Sequence, residues 1–387
     1  MQVVLVGAGA VGEVIARHLS NDNKISLSIA DIDPASIRRI KRKLTTKKVE
    51  THLLDVRNSD NLSKLLKDAE LLINAATPKI NTYLMKECLK RNVNYMDLAS
   101  DDVYEQLAMN DMWRDKRLKA LICMGEDPGL SNIYAKYAAD KINEPMYIKI
   151  RDGEFSETTV NYHFVPLFSP QVFLEELLSP AYYYMDGKYI SVKPLSKYEE
   201  YNFPQPIGKK TFYLLDHEEI WTLPKFIKHV KYVDFMLAIS PELVSLITTL
   251  KRMKMTKKQK IKIGSSSVAP IDVIIALTPK PSYISKYIRG YAGISVEVAG
   301  RNSGLKSYTL YTTVSHEFAY KHFQTNATGY LTGTVPAVIA SSLARGEIEL
   351  GGVICPEQLD PEPIIRKLKK ENIITYIKSE DVSELDI

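Results

Sequence analysis

Short apolar runs alternate with amphipathic stretches through the first third of the chain. Residues 3–6 and 71–76 have the apolar composition of strands that are buried on both faces of a sheet. Residues 34–44 and 81–91 instead have the residue pattern of helices. Strands that alternate with helices of about ten residues are typical of a parallel, doubly wound sheet. The pattern therefore predicts an α/β fold for this part of the chain.

The pattern changes after about residue 142, where tyrosines and prolines become frequent and polar and apolar residues alternate. Several of these segments are predicted to be strands, among them residues 146–150 and 272–277. We therefore predict a second, α+β domain that is built on a mixed or antiparallel sheet. The predicted boundaries place residues 1–128 and 330–387 in the first domain and residues 129–329 in the second.

A glycine-rich turn joins the first predicted strand to the first predicted helix. Gly7, Gly9 and Gly12 complete a G-x-G-x-x-G sequence, and Asp31 follows the second predicted strand. In this order the glycines allow a tight turn, a close approach of the backbone to a pyrophosphate, and close packing of the helix. The acid lies where such folds bind the adenosine ribose. The sequence therefore predicts a Rossmann domain that binds NAD or NADP.

The acid at the end of the second strand bears on the choice of cofactor. Asp31 can accept hydrogen bonds from both ribose hydroxyls and would repel a 2′-phosphate, which favours NAD. Arg38 and Arg39 follow closely in sequence, so NADP stays possible. Ligands of such sheets bind beyond the carboxyl ends of the strands. The residues predicted to bind the cofactor are Gly7, Gly9, Ala10, Val11, Gly12, Asp31, Asp55, Val56, Ala75, Ala76 and Thr77.

The charge balance gives no reason to expect a nucleic-acid partner. The 387 residues include 51 Lys and Arg against 46 Asp and Glu, which is a small excess for this length. Residues 251–262 are strongly basic, and this segment could form a nucleic-acid or membrane patch. A solvated helix or loop is the favoured interpretation, because a charge run with few aromatic residues says little by itself.

The cysteines and the hydropathy pattern narrow the class of protein. Cys88, Cys123 and Cys355 lie far apart in sequence, so we predict neither a disulfide framework nor a metal site. The chain has no secretion-signal pattern and no apolar run of the roughly 18 residues that span a bilayer. We therefore expect a cytoplasmic protein without membrane contact. A homodimer is the expected assembly, because closed two-fold symmetry is the commonest among oligomers.

Further motifs lie at the predicted strand ends and in the C-terminal part of the chain. Together with the glycine-rich turn they comprise residues 7–12, 74–78, 95–99, 125–132, 327–333, 343–348 and 352–357. In these motifs the chain resembles the saccharopine dehydrogenase family, which also includes lysine 6-dehydrogenase, carboxynorspermidine dehydrogenase and homospermidine synthase. The resemblance covers nearly the whole chain. It implies a Rossmann domain joined to an α+β domain for catalysis, substrate binding and dimerisation.

The resemblance also implies an activity. We expect an NAD(P)-dependent oxidoreductase that acts on the CH–NH group of an amino-acid-derived substrate, with hydride transfer to or from an imine carbon. Saccharopine or lysine is the first choice of substrate, and lysine 6-dehydrogenase or carboxynorspermidine dehydrogenase activity is the alternative. Two other classes stay open. One is an NAD-binding regulator without enzymatic activity, and the other is a transferase that uses bound NAD as homospermidine synthase does.

Carboxylates near the predicted hinge between the domains are the candidates for proton transfer. Asp127 is the first choice, because it lies in a segment that matches the family's G-x-D-P-G motif, and Asp97 is the second. Each residue could instead have a structural role. Asp127 could cap a helix, and Asp97 could bind the N–H groups of a loop. Ser100 is a candidate for substrate binding. Glu126 adds a second acid, which would suit a more cationic substrate, such as a polyamine precursor, unless it faces solvent.

The carboxylates of an amino-acid substrate require cationic partners, preferably arginines that bind both oxygens. We predict Arg151, at the end of a strand, and Arg301, in a turn, as the substrate-binding cations. His316 is a candidate proton relay, although an isolated histidine more often has a structural role. Thr328 is expected to line the cleft and contact the substrate.

Overall fold

The computed structural model describes residues 1–44, 49–160 and 165–382. The predicted domain ranges also include residues 45–48, 161–164 and 383–387, which lie outside the described residues. The strands are β1 (Gln2–Val6), β2 (Ser26–Asp31), β3 (Val49–Leu53), β4 (Leu71–Asn74), β5 (Asn94–Asp97), β6 (Lys119–Leu121), β7 (Glu144–Thr158), β8 (Ala181–Met185), β9 (Lys188–Val192), β10 (Tyr198–Phe203), β11 (Gly208–Leu214), β12 (Tyr232–Ala238), β13 (Ile261–Ile263), β14 (Ser266–Val268), β15 (Ile288–Arg301), β16 (Leu305–Tyr311), β17 (Val314–Ser315), β18 (Gly352–Ile354) and β19 (Tyr376–Asp381).

The α-helices are distributed through both parts of the chain. They are α1 (Ala10–Asn21), α2 (Pro34–Lys43), α3 (Ser59–Leu65), α4 (Asn81–Arg91), α5 (Val103–Leu107), α6 (Asn110–Asp115), α7 (Leu130–Ala139), α8 (Pro170–Leu178), α9 (Glu218–Phe226), α10 (Pro241–Arg252), α11 (Pro270–Leu277), α12 (Pro281–Ile284), α13 (His316–Phe323), α14 (Ala327–Ala344) and α15 (Pro361–Lys370). No helix within the described residues is both long and apolar enough to cross a membrane.

The first sheet confirms the predicted Rossmann fold. Its strand order is β18-β6-β5-β4-β1-β2-β3, and every pair is parallel. Val3, Val4 and Leu5 of its central strand are completely buried, as expected for a strand covered by helices on both faces. Helix α14 crosses α1 closely: a Cβ on Gly333 would lie 2.7 Å from the Cβ of Val14. The small residues of α14 thus allow it to pack directly on the dinucleotide-binding helix.

The C-terminal segment divides between the two sheets. Strand β18 returns to the first sheet, where its Val353 pairs with Ala120 of β6. Strand β19 instead pairs antiparallel with β16 of the second sheet, with Ser379 opposite Tyr308. The prediction that all of residues 330–387 belong to the first domain is therefore wrong for β19. The unpaired backbone groups along β16 give this segment a hydrogen-bonding partner that its sequence does not reveal.

The second sheet confirms the predicted α+β domain. Its main path is β10-β11-β12-β7-β15-β16-β19, with β12 and β7 parallel and the other neighbours antiparallel. The sheet is therefore mixed. The long strands β7 and β15, of 15 and 14 residues, form its centre. Their inward-facing side chains join the apolar core that also fills the first domain.

One predicted strand of the second domain is a helix. Residues 272–277 lie in α11, which has Pro270 in its first turn and Asp272 close behind it. A short apolar run fits a buried strand and a buried helix equally well by periodicity alone. Proline near the start of the segment is typical of a helix N-terminus, and this signal indicates the correct structure here.

Candidate active site

A cavity of about 780 Å³ opens between the carboxyl ends of the first-sheet strands and the second domain. Val11, Thr77 and Ser100 line it from the first domain, and Asp127 lies in the segment that joins the domains. The second domain contributes Asp152 from β7 and the loop that follows β11. The cavity is therefore at the position where doubly wound sheets bind their ligands.

The glycine-rich turn has the shape that a dinucleotide requires. Gly7 has a φ of +99°, and a Cβ on Gly12 would lie only 2.0 Å from the carbonyl oxygen of Gly7. A Cβ on Gly9 would meet nothing within 4 Å, so open space lies over this residue. Helix α1 begins directly after it, at Ala10, and its free N–H groups and positive dipole end suit a diphosphate. These residues fit NAD(P).

The acid predicted to bind the ribose is held in place by the same turn. Asp31 accepts hydrogen bonds from the N–H of Ala8 at 2.6 Å and the N–H of Asp33 at 2.7 Å. Each carboxylate oxygen has a further lone pair that can accept from a ribose hydroxyl. Arg39 is tied to the carbonyl oxygen of Ala8 at 2.7 Å and to Glu13 at 3.3 Å, whereas Arg38 is exposed.

Not all of the other residues predicted to bind the cofactor lie at the cavity. Ala76 and Thr77 line the cavity with Val11, and Ala75 lies against the glycine-rich turn. Asp55 is outside the cavity lining, where its carboxylate is bound by the guanidinium of Arg57 at 2.7–3.1 Å. Val56 is packed into the first-domain core. Cofactor contacts by Asp55 and Val56 therefore stay predictions.

Asp97 is buried beneath the cavity wall rather than in it. Its carboxylate accepts hydrogen bonds from the N–H of Cys123 at 2.7 Å and from Gln106 at 2.6 Å. Burial raises the pKa of Asp97 to about 7, in spite of these hydrogen bonds. The structure thus favours the alternative in which Asp97 organises the loops. Ser100 does line the cavity, and its N–H binds Glu218 at 2.6 Å.

Asp127 faces the cavity beside a second carboxylate, Asp152. Burial and the adjacent charge of Asp152 raise the pKa of Asp127 well above its ordinary value, and the two carboxyl groups are hydrogen-bonded. Such a pair readily shares one proton. The alternative that Asp127 caps α7 is wrong, because Gly129 is the N-cap and is bound by Asn132 at 3.0 Å.

The loop after β11 contributes an imidazole that the sequence analysis did not identify. His217 stacks on Phe235 with 3.8 Å between ring centroids, and its Nδ1 lies 2.5 Å from the carboxylate of Glu219. Glu219 is fully buried and also accepts from the hydroxyl of Ser131 at 2.5 Å. Burial lowers the pKa of His217, but Glu219 and the other nearby carboxylates outweigh it, so the pKa is raised well above its ordinary value.

His217, Glu218 and Glu219 also bring possible metal ligands within 4.8 Å of one another. The two carboxylates already accept hydrogen bonds, from Ser100 and Ser131, and Glu219 holds the imidazole. Proton handling by this group is therefore favoured over metal binding. The absence of a metal stays a prediction.

Arg151 is not available as a carboxylate clamp. Only 2% of its side chain is exposed, and it is bound by Asp234 at 2.7 and 3.1 Å and by Glu199 at 2.6 Å. Successive residues of a strand point to opposite faces of the sheet. Asp152 therefore faces the cavity, whereas Arg151 lies on the other side. The prediction identified the correct strand but the wrong face.

Two other predicted site residues also lie away from the cavity. Arg301 is exposed at the end of β15 and does not line it. His316 accepts a hydrogen bond from the N–H of Ala327 at 3.0 Å and contacts Ser156 at 3.0 Å, and burial lowers its pKa to about 4. His316 is therefore neutral and positions the start of α14. Thr328, in the first turn of that helix, does line the cavity.

Glu126 neither lines the substrate cavity nor faces solvent, the two positions that the sequence analysis considered. It is 1% exposed, so it does not face solvent, and it is absent from the cavity lining. Its Oε1 has no hydrogen-bond partner among the residues that the structure describes, and burial raises its pKa well above the ordinary value. The second carboxylate beside Asp127 is therefore Asp152.

Comparisons with known proteins agree with this architecture. Residues 3–121 match the model of the saccharopine dehydrogenase NADP binding domain, and residues 125–374 match that of the saccharopine dehydrogenase C-terminal domain. Carboxyaminopropylagmatine dehydrogenase of Synechocystis sp. is 29% identical over 383 residues, which cover 95% of both chains. Carboxynorspermidine synthase of Vibrio cholerae is 26% identical over 399 residues, covering 95% of this chain and 94% of that protein.

A solved structure has the same fold. Saccharopine dehydrogenase (L-Glu forming) from Saccharomyces cerevisiae superposes with a TM-score of 0.72 at 15% identity, covering 98% of this chain and 99% of that one. The family models together span nearly the whole chain, and the glycine-rich turn has the shape that a dinucleotide requires. The chain belongs to the saccharopine dehydrogenase family and is an NAD(P)-dependent dehydrogenase.

Proposed function

We propose that the protein uses NAD(P)H to reduce an imine formed between a cationic amine and an aldehyde derived from an amino acid. The product would be a polyamine-like amine that carries a carboxyaminopropyl group. The observation that carries this proposal is the charge of the cavity. Its lining includes five aspartates and three glutamates, Asp101, Asp102, Asp127, Asp152, Asp216, Glu175, Glu176 and Glu218.

This charge selects among the substrates of the family. A diamine or a guanidinoalkyl amine carries a positive charge beyond its reacting nitrogen, and the carboxylates that line the cavity attract such a charge. Trp221 adds an aromatic surface to the same wall, and aromatic faces also attract cations. Saccharopine, with three carboxylates, would meet repulsion from the acids of the lining. The acidic cavity therefore supports a cationic substrate over saccharopine.

The relatives support the same class. Curated proteins that align over nearly the full length are named for carboxyaminopropylagmatine and carboxynorspermidine. Each name describes a cationic amine whose nitrogen carries an amino-acid-derived group. We extend this class to the present chain because its cavity has the complementary charge.

The side chains around the cavity suit imine reduction. NAD(P)H, which the glycine-rich turn and Asp31 would hold, would supply the hydride for the imine carbon. Asp127 and Asp152 would stabilise the positive charge of the iminium, since two adjacent carboxyl groups that hold one proton between them keep one negative charge. His217, held by Glu219, would give a proton to the imine nitrogen and so raise the electrophilicity of its carbon. Ser100 and Thr328 would orient the substrate from the cavity wall.

Several features of the proposal come from the sequence alone. We expect NAD to be preferred over NADP, because Asp31 has the geometry to bind the ribose hydroxyls. A cytoplasmic homodimer without a nucleic-acid partner also remains the expected form. The exposed side chains of Tyr376 and Ile377 on the edge strand β19 offer a surface on which a second copy could pair.

The experiment that tests the function is a substrate panel that is followed by NAD(P)H absorbance in both directions. Agmatine or 1,3-diaminopropane with aspartate semialdehyde should consume NAD(P)H, whereas lysine with 2-oxoglutarate should not. Turnover confined to lysine and saccharopine would contradict the proposal. Amine consumption without net change of NAD(P)H would support the transferase alternative, and cofactor binding without turnover would support the regulator.

A further inference from the structure

A cluster of ion-paired side chains connects the two domains at one end of the cavity. The ammonium of Lys79, from the loop after β4, lies 3.0 Å from Oε1 of Glu175 in helix α8. The ammonium of Lys258 lies 2.9 Å from the same oxygen, and the amide of Gln171 lies 3.5 Å from it. Two cations thus converge on one carboxylate oxygen.

The charges around this cluster differ from those of the rest of the cavity. Lys79 is the single Lys or Arg among the described residues of the lining. A second cavity, of about 290 Å³, adjoins the first and shares Glu175 and Ser179 with it. Lys251 and Lys258 line this smaller space. Positive charge is therefore concentrated where the two cavities meet.

We propose that Lys79 and Lys258 form the subsite for the carboxylate at the amino-acid end of the substrate, and that Glu175 occupies this subsite until the substrate displaces it. This inference rests on the proposed function, because it requires a substrate with a cationic end and a carboxylate end. It places the cationic end among the acids of the main cavity. It places the carboxylate where the two cavities meet, between the ammonium groups of Lys79 and Lys258.

The ease of exchange separates this cluster from the buried ion pairs of Arg151 in the same domain. The side chains of Lys79 and Lys258 are 47% and 69% exposed, so their pairing with Glu175 is weak and readily exchanged. Arg151, in contrast, is 2% exposed and bound by two carboxylates, and removing a partner there would leave a buried charge. The exposed cluster can transfer its cations to an incoming carboxylate at small cost, whereas Arg151 cannot.

The position of Lys79 supports the same assignment. It follows Thr77 and Pro78, which line the cavity beside the cofactor side of the cleft. A substrate carbon placed at the cofactor for hydride transfer therefore has a cation within reach of its amino-acid end. His217, the other cationic candidate in the lining, is surrounded by Glu218 and Glu219 and is less suited to a carboxylate. The subsite also gives a role to Lys258 of the basic segment 251–262.

The test compares two aldehydes in the reductive reaction with agmatine, at saturating amine and NAD(P)H. Aspartate semialdehyde carries the carboxylate, and 3-aminopropanal lacks it. Lys79→Met and Lys258→Met should each raise the KM for aspartate semialdehyde by about three- to fivefold, because the ion pair of a partly exposed ammonium with the substrate carboxylate is lost. The same variants should leave the KM for 3-aminopropanal and for agmatine within about twofold.

Matched controls come from exposed lysines outside both cavities. Lys86→Met removes a similar surface ion pair, with Glu105 at 3.5 Å, and Lys262→Met removes a charge from the same basic segment. Both should behave as the wild type. An equal rise in KM for the two aldehydes in Lys79→Met, or a rise confined to agmatine, would overturn the subsite.

Substitution of Glu175, the internal carboxylate, should change the KM for aspartate semialdehyde in the opposite direction. Glu175→Gln removes the competitor, so the KM for aspartate semialdehyde should fall by about threefold, roughly 0.6 kcal/mol in binding. A rise like that of Lys79→Met would contradict displacement. Wild-type silence with every amine and aldehyde pair would overturn the proposed function itself. Wild-type turnover without selective effects in the lysine variants would overturn only the carboxylate subsite.

Discussion

The two sides of the cleft are built in different ways. The cofactor side is made by backbone that a short run of sequence determines: Gly7, Gly9 and Gly12 shape one turn, and Asp31 completes it. The substrate side is made by charged side chains from separate elements, Asp127 before α7 and Asp152 in β7. A local motif therefore predicts the first side in detail. The second depends on strand register and on loops that meet only after folding.

The largest effect should come from the centre of the substrate side. Asp127→Asn keeps the shape of the side chain but replaces an ionisable carboxyl group with an amide, which cannot take a negative charge towards the iminium. We expect kcat to fall by about 10²–10³-fold, the usual cost of removing one electrostatic contact to the transition state, with cofactor affinity within twofold of wild type. Steady-state kinetics and a cofactor titration provide the measurement. Exposed Asp140→Asn is the control, and similar activities in the two variants would remove Asp127 from the mechanism.

A substitution of Arg151, on the face of β7 that points away from the cavity, should affect stability rather than catalysis. Arg151→Met leaves Asp234 buried without its partner, which should cost about 3–5 kcal/mol of unfolding free energy. The KM for substrate should stay within twofold, since Arg151 lies away from the cavity. Denaturant unfolding with parallel kinetics tests both statements. Arg301→Met, at the exposed strand end, should change neither. A rise of KM in a stable Arg151→Met protein would restore the clamp.

These two residues show how far the sequence determines the site. Residues 151 and 152 are adjacent, and a shift of one position exchanges a cavity-facing carboxylate for a structural guanidinium. Alternation in β7 did not reveal which face would meet the cleft, because both faces carry charge. His217 escaped detection for a related reason. Its role depends on Glu219 and on Phe235 of β12, and the folded loop brings these side chains together.

The first domain shows the contrasting case. Strand, turn, helix and acid follow in order within about thirty residues, so the fold and the cofactor class could be predicted from the sequence. The prediction was weaker wherever a residue had to meet a distant partner. Strand β19 joins the second sheet because β16 offers an open edge, and Asp97 is satisfied by Cys123 and Gln106 beneath the cavity. No local pattern reports either contact.

The cofactor side predicts a smaller effect, on selectivity. Asp31→Ala removes the acceptor for the ribose hydroxyls and the charge that repels a 2′-phosphate, so the preference for NAD over NADP should shrink by about 10-fold, roughly 1.4 kcal/mol. The ratio of kcat/KM for the two cofactors is the measurement, with the exposed Asp60→Ala as the control. An unchanged ratio would mean that another residue selects the cofactor.

The smallest effect should appear as a pH dependence of stability on the substrate side. Burial raises the pKa of Glu176, a residue of the cavity wall, from its ordinary value of 4.5 to about 7. The folded protein therefore binds more protons than the unfolded chain between these values. The free energy of unfolding falls as pH rises through this range, and the full cost is present above pH 7.

Glu176→Gln removes this cost, so the variant should be more stable than the wild type at pH 8, by about 1 kcal/mol or a few degrees in Tm. At pH 4.5 the two proteins should melt alike, because the wild-type carboxyl is then protonated. Thermal unfolding at the two pH values is the measurement, and Glu242→Gln, at an exposed position of α10, should show no such difference. Equal melting at both pH values would mean that the acidic wall is ionised without cost. Glu176 would then lose its proton near its ordinary pKa of 4.5, and the cavity would carry this negative charge throughout the neutral range.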